Sequence, residues 1–287
     1  MTAKANVLGA GYLVAATTVF NFGDTFVKLL SEQIPIFQVI ALRNGVTALL
    51  IGIAWAVRGS MIRPRDLIDR GVLLRSALDT VTTLLYLYGV SQLPLANAAA
   101  LLFASPLLAT MLAGLLLGER VGWARWGAVA LGFAGVLLVV QPDEQGWRAA
   151  ALFPLAAAFT MAMADIVTRR IRADVGPPAI VATNVVSVAL AASAFAVFDW
   201  SPLPSEAGSH LALAALALLA GYLTYVLAFR RGEVSFVAPF KYAGLPAAMA
   251  FGWLAWSHWP TPLVLAGSVL IVAAGLLVLA SERRPAG

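Results

Sequence analysis

Runs of roughly twenty apolar residues, separated by short turns, constrain this chain more than any motif in it. A helix needs about that length to cross the hydrocarbon of a bilayer, and inside hydrocarbon each backbone N–H and C=O must find its partner within the segment. Ten such runs fall at 7–30, 36–57, 71–91, 94–117, 123–141, 147–168, 177–198, 208–229, 234–257 and 262–281. With 61% of its 287 residues hydrophobic and 11% charged, the chain carries about half the charge of a soluble protein. Its mean hydropathy is +0.88. The pattern predicts an all-α integral membrane protein. The first run is too long for a signal peptide and has no clear cleavage site, so it is expected to remain as the first span.

The turns alternate in charge. One set holds Lys4, then Arg58, Arg63, Arg65 and Arg70, then Arg120 and Arg125, then Arg169, Arg170 and Arg172, then Arg230 and Arg231, and finally Arg283 and Arg284. The other holds Glu32, Asp143, Glu144, Asp199 and Glu206, with Arg148 as its strong base. Basic turns stay in the cytoplasm, which predicts two cytoplasmic termini and agrees with an even number of spans. The same distribution accounts for the net charge of +5 without any nucleic-acid partner.

A weak internal repeat then gives the spans an arrangement. At an offset of 140, Pro106, Gly127, Val129, Ala134, Gly135 and Leu137 meet Pro246, Gly267, Val269, Ala274, Gly275 and Leu277. The shared Pro and Gly carry the argument, since each sets backbone shape. At an offset of 141, Ala15, Ala16 and Asp24 meet Ala156, Ala157 and Asp165. Each half, 1–144 and 145–287, would hold five spans. An odd number per half places the second repeat inverted relative to the first, an architecture common among secondary transporters.

Charges inside spans are costly, roughly 2.5–3.5 kcal/mol each on insertion scales, so they should face protein or a wet cavity. They are Asp24, Lys28, Arg43, Asp79, Asp165 and Lys241. Thr17, Asn21, Asp24 and Lys28 form one helical stripe, and Asp24 and Lys28 are spaced to pair along the helix. Arg75, Asp79, Thr82 and Tyr86 form a second. Asp79, near mid-span, is open to two readings, a proton or cation site and a partner for Arg43, of which the pair is the expectation; Arg169 and Arg170 are the expected partners of Asp165. Lys28, Arg43, Asp79 and Asp165 are thus read as structural ion pairs. Lys241 lies in PFKY, beside a Pro239 that removes a backbone donor, and reads as a cation offered to a cavity.

Binding candidates are Asn21, Asp24, Tyr86, Asn97, Phe103, Met161, Tyr225, Phe240, Lys241 and Tyr242. Pro106 and Pro246, at matching places in the two halves, are candidate hinges. Gly114 and Gly118 form a GxxxG pair suited to helix contact. Trp123, Trp126, Trp147, Trp200, Trp256 and Trp259 lie near span ends and read as an interfacial belt. The absence of cysteine excludes disulfides and thiolate chemistry. With no phosphate-binding loop, and with His210 and His258 in separate turns, nothing points to an enzyme, a cofactor or a metal.

The stretch LLFASPLLATMLAGLLLGERVGWARWGAVALGFAGVLL, with Pro106, Gly118, Glu119, Gly127 and Gly135, resembles the end of a repeat in the drug/metabolite transporter superfamily. Its EamA-type branch, and within it the YddG-like aromatic amino-acid exporters, is the nearest likeness. The second half keeps Pro246, Gly267 and Gly275 but has Ser257, His258 and Trp259 where the acidic turn is usual. The resemblance implies ten transmembrane helices as two inverted five-helix repeats in the inner (plasma) membrane. It also implies a cavity lined by spans 1, 3, 4, 6, 8 and 9, and export by alternating access. The expected cargo is apolar or aromatic amino acids and cationic toxic compounds, handled by a monomer in the lipid bilayer. Lys241 would meet the cargo carboxylate, and Asp24 with Asn21 its amino group. The alternatives are uptake of a nucleoside- or nucleotide-derived metabolite, or a membrane scaffold that transports nothing.

Overall fold

Apolar side chains offer a backbone no competing hydrogen bonds, so each apolar run closes its own i to i−4 ladder. The computed structural model describes residues 3–58, 62–116, 123–140, 147–168, 171–172, 174–231 and 234–282. Among them the regular structure is entirely helical. The helices are α1 (Ala3–Ser31), α2 (Ile36–Arg58), α3 (Pro64–Leu67), α4 (Arg70–Gln92), α5 (Leu95–Leu102), α6 (Ser105–Leu116) and α7 (Trp123–Val140) in the first half. The second half has α8 (Trp147–Ala150), α9 (Leu152–Thr168), α10 (Pro177–Ala196), α11 (Ala207–Arg231), α12 (Val234–Val237), a 3₁₀ segment (Ala238–Ala243), α13 (Gly244–Trp256) and α14 (Pro262–Glu282). Gly118, Glu119, Arg120, Asp143, Glu144, Arg169, Arg170, Arg283 and Arg284 lie outside the described residues.

Helix therefore occupies each of the ten apolar runs. Among the described residues, five stretches are long and apolar enough to cross a membrane: Lys4–Ser31, Ile36–Val57, Leu95–Leu112, Pro177–Ala196 and Ala207–Arg231. Trp126–Val140, Leu152–Thr168 and Pro262–Val278 are apolar but shorter. The outward face of α2 presents Val46, Leu49, Ile53 and Val57 at helical spacing, all exposed. Water would not tolerate such a face on a monomer, and lipid does. The protein is an integral membrane protein.

Two runs are broken where proline predicts it. α5 stops at Leu102, and α6 restarts at Ser105 with Pro106 in its first turn, where a missing N–H leaves no bond unmade. The ninth run is α-helical only at its ends. Pro239 opens the 3₁₀ segment, and Pro246 sits in the first turn of α13.

The packing is nearly unchanged when the halves are exchanged. α1 packs on α11, and its counterpart α9 packs on α4. α2 packs on α10 and α7 on α14, each against its own repeat mate, and the fourth and ninth runs meet through α5 and α13. α7 and α14 approach closest at Gly135 and Gly267: a Cβ on either would stand 2.6 Å from the other's carbonyl oxygen, so both must be glycine.

The connections gather at two ends. At one, Arg172 bonds Asp66 and Asp69 at 3.5 Å each, tying the turn before α4 to the turn after α9. Asp69 also caps α4 by accepting from the N–H groups of Gly71 and Val72. This is the arginine-rich end. At the other, Gln38 bonds Ser201, and Trp256 Nε1 donates to Glu32 at 2.7 Å.

Candidate functional site

Packing, rather than charge count, assigns the partners of the charges inside the bundle. α1 and α2 bring Asp24 and Arg43 together, with Arg43 Nη1 3.4 Å from Asp24 Oδ1 and side-chain exposures of 15% and 5%. The Tyr86 hydroxyl of α4 interacts with the same carboxylate. The expected Arg43–Asp79 pair does not form. Asp79 takes Arg75, one turn earlier on its own helix, at 2.9 Å. The reason is local reach: a partner four residues back needs no second helix, which leaves Arg43 to α1. Arg75 Nε also donates to the Thr168 hydroxyl of α9 at 2.6 Å, and Thr82 shares a 2.7 Å bond with Thr160. A polar seam thus runs between α4 of the first half and α9 of the second.

Lys28 does not pair with Asp24, although the spacing allows it. Its Nζ donates to the carbonyls of Val90 and Leu93, both at 2.9 Å. These carbonyls end α4, where a cation satisfies orphan acceptors and complements the helix dipole. The ammonium lies 5.5 Å from the Trp256 ring.

Lys241 projects from the 3₁₀ segment, 5.8 Å from the Tyr242 ring, and is half-buried. Among the described residues it makes no hydrogen bond and no ion pair within 4 Å. Asp165 lies within electrostatic reach of Lys241, Asp79 and Tyr225. Tyr225 faces these charges yet remains 43% exposed, so its side chain borders open space. One turn away, the Tyr222 hydroxyl accepts from Asn184 at 3.1 Å.

The candidate residues therefore fall into separate groups. Asp24 and Tyr86 meet at Arg43, while Tyr225 and Asp165 gather near Arg75 and Asp79, and Lys241 reaches this group through Asp165. Asn21 and Phe103 both pack on Gly244 at the start of α13. Met161 is half-buried on α9 beside Thr160. Phe240 packs its ring, tilted, against Phe236 near the arginine-rich end and is 39% exposed. Tyr242 is buried, with its ring against Phe103 and its hydroxyl against Gly275 of α14. It packs into the wall rather than offering its hydroxyl to a cavity.

Asn97 belongs elsewhere. With Lys28 it borders a cavity of about 410 Å³ at the end opposite the arginine-rich turns. Trp256, His258 and Trp259 close this cavity, and sequence reasoning had placed the two tryptophans only in an interfacial belt. The α13 run carries them there because Ser257 takes φ of 54°, ending the helix and turning the chain back. Only the SHW departure from the usual turn hinted at this place.

Comparison with known proteins gives a consistent result. A model of the EamA-like transporter family matches residues 7–141 and 148–280, one copy per half. A riboflavin transporter of Rhizobium johnstonii is 33% identical over 68% of this chain, which spans 65% of that protein's length. A pseudopaline exporter of Pseudomonas aeruginosa is 28% identical over 94% of this chain and 95% of its own. An S-adenosylmethionine uptake transporter of Rickettsia bellii is 22% identical over 98% and 96%. A solved crystal structure shares 17% identity with a TM-score of 0.65, over 100% of both chains. That structure speaks to the fold alone.

Proposed function

The chain belongs to the EamA-like transporter family, and on that premise we propose that it exports small zwitterionic metabolites by alternating access, with apolar or aromatic amino acids as the preferred cargo. It is a small-metabolite transporter by family. The observation that carries the proposal is the polar seam between the halves. Beside it the Lys241 ammonium, with no hydrogen bond or ion pair within 4 Å among the described residues, sits on a non-α segment within electrostatic reach of Asp165, which in turn lies near Asp79 and its partner Arg75. A cation and acids of opposite sign, flanked by Tyr225 and Tyr222, match a cargo that bears a carboxylate, an ammonium and an apolar body.

In this reading Lys241 takes the cargo carboxylate, the acids take its ammonium, and the tyrosines wall its side chain. Ten crossings, inverted halves and cytoplasmic termini complete the arrangement. They are supported by the exchange-symmetric packing and by the arginine-rich end. The breaks before Pro106 and Pro246 supply the joints at which the halves rock. The pseudopaline relative supports the outward direction.

The riboflavin and S-adenosylmethionine relatives favour a second reading, uptake of a heteroaromatic or nucleoside-derived metabolite through the same seam. Counterflow in proteoliposomes separates the two. The panel is the twenty amino acids, one quaternary cation, riboflavin and S-adenosylmethionine. Exchange of phenylalanine or leucine is expected. Exchange of riboflavin or S-adenosylmethionine alone would replace the first reading with the second.

A further inference from the structure

The cavity at the far end is distinct from the polar seam, and the transport reading does not use its chemistry. Asn97 is 7% exposed and borders the cavity, yet its carboxamide makes no hydrogen bond among the described residues. Leu95 and Ala96 open α5, whose N-cap is Pro94, a residue with no side-chain acceptor. Their N–H groups, in the first helical turn, have no acceptor within the helix. Lys28 commits two of its three N–H bonds to Val90 and Leu93 and keeps the third. These groups offer donors and one ammonium; no Asp or Glu is among the described lining residues, and the Glu32 carboxylate lies within electrostatic reach of Lys28 with its Oε1 taken by Trp256 Nε1. Trp256 and Trp259 supply aromatic faces across from them. Between the two, Ser257 is the sole non-glycine residue with positive φ among the described residues. Such conformations persist where the surrounding structure enforces them, often at ligand sites.

We infer that this cavity binds a carboxylate attached to a flat aromatic ring. The carboxylate accepts from Asn97 Nδ2 and the first-turn N–H groups of α5, with Lys28 as counter-charge. The ring lies against Trp259. At about 410 Å³ the cavity is of ligand size. Within the transport reading, on which only this role rests, the site is a station on the cargo's path at the end opposite the arginine-rich turns.

The test uses the full chain labelled with 5-fluorotryptophan, in lipid nanodiscs, and reads the fluorine spectrum during titration with indole-3-propionate. The neutral amide of that acid is the control, and Trp259→Phe assigns the Trp259 resonance. A saturable shift at Trp259 is expected, about tenfold weaker for the amide and about fivefold weaker in Asn97→Leu. Asn97→Asp, which keeps the size and repels the anion, should abolish the shift and stands in if Asn97→Leu fails to fold. No shift, equal response to acid and amide, or indifference to both Asn97 variants would overturn the inference. A Trp259 shift in a protein that exchanges none of the panel would uphold this site and sink the transport reading. Amino-acid exchange without the shift would do the reverse.

Discussion

Removing one member of the Asp24–Arg43 pair should be far worse than removing both. The charges are 3.4 Å apart and nearly enclosed. At an effective dielectric of about 20 their attraction is about 5 kcal/mol, offset by desolvation of both groups. Arg43→Met leaves the Asp24 carboxylate with only Tyr86 for company, and the expected loss of stability is about 3–5 kcal/mol. Asp24→Asn strands the guanidinium at a similar cost. The double variant Asp24→Asn with Arg43→Met removes both charges, so it should recover at least about 2 kcal/mol of the summed loss. Reversible unfolding by SDS titration in mixed micelles, read by tryptophan fluorescence, measures all four corners of the cycle. Coupling below about 0.5 kcal/mol would refute the pairing.

Three further outcomes follow from particular contacts. Lys28→Met strands the buried Val90 and Leu93 carbonyls and should cost about 3 kcal/mol in the same titration, with Lys28→Arg costing less; equal losses would mean the ammonium is not a helix cap. Gly267→Ala places a Cβ 2.6 Å from the Gly135 oxygen and should lower stability by about 1–3 kcal/mol, whereas Gly127→Ala, which meets nothing within 4 Å, should be near neutral. Arg65→Ala with Arg172→Ala releases Asp66, Asp69 and Asp174 together, and proteolysis of the turn at 62–70 should accelerate about tenfold if the network holds it; an unchanged rate would show that it does not.

The positions of the helices were legible because apolar runs leave the backbone no alternative, and Pro106, Pro239 and Pro246 marked the breaks. Ion pairing was less legible. From sequence alone Asp24 pairs with Lys28 and Asp79 with Arg43, and the way α1, α2 and α4 pack replaces both pairings. Yet Arg75 four residues before Asp79 was in view, and the i,i+4 rule alone would have paired them. The role of Lys28 was out of reach, since its acceptors are backbone carbonyls of another helix and carry no sequence signature. Trp256 looked like a belt residue because span-end tryptophans usually are. Its contacts with Lys28 and Glu32 depend on where α13 ends, which Ser257 decides.

The seam between the halves is the centre of the account, and Lys241 is its most exposed commitment. Amino-acid counterflow by wild type, Lys241→Ala and Lys241→Arg, at matched reconstitution and with unchanged unfolding midpoints, tests it directly. Flux should fall about a hundredfold in Lys241→Ala, and Lys241→Arg should retain part of it, as expected for loss of a charge-assisted contact with the cargo carboxylate. Wild-type flux in a folded Lys241→Ala protein would contradict the seam as the route of the carboxylate.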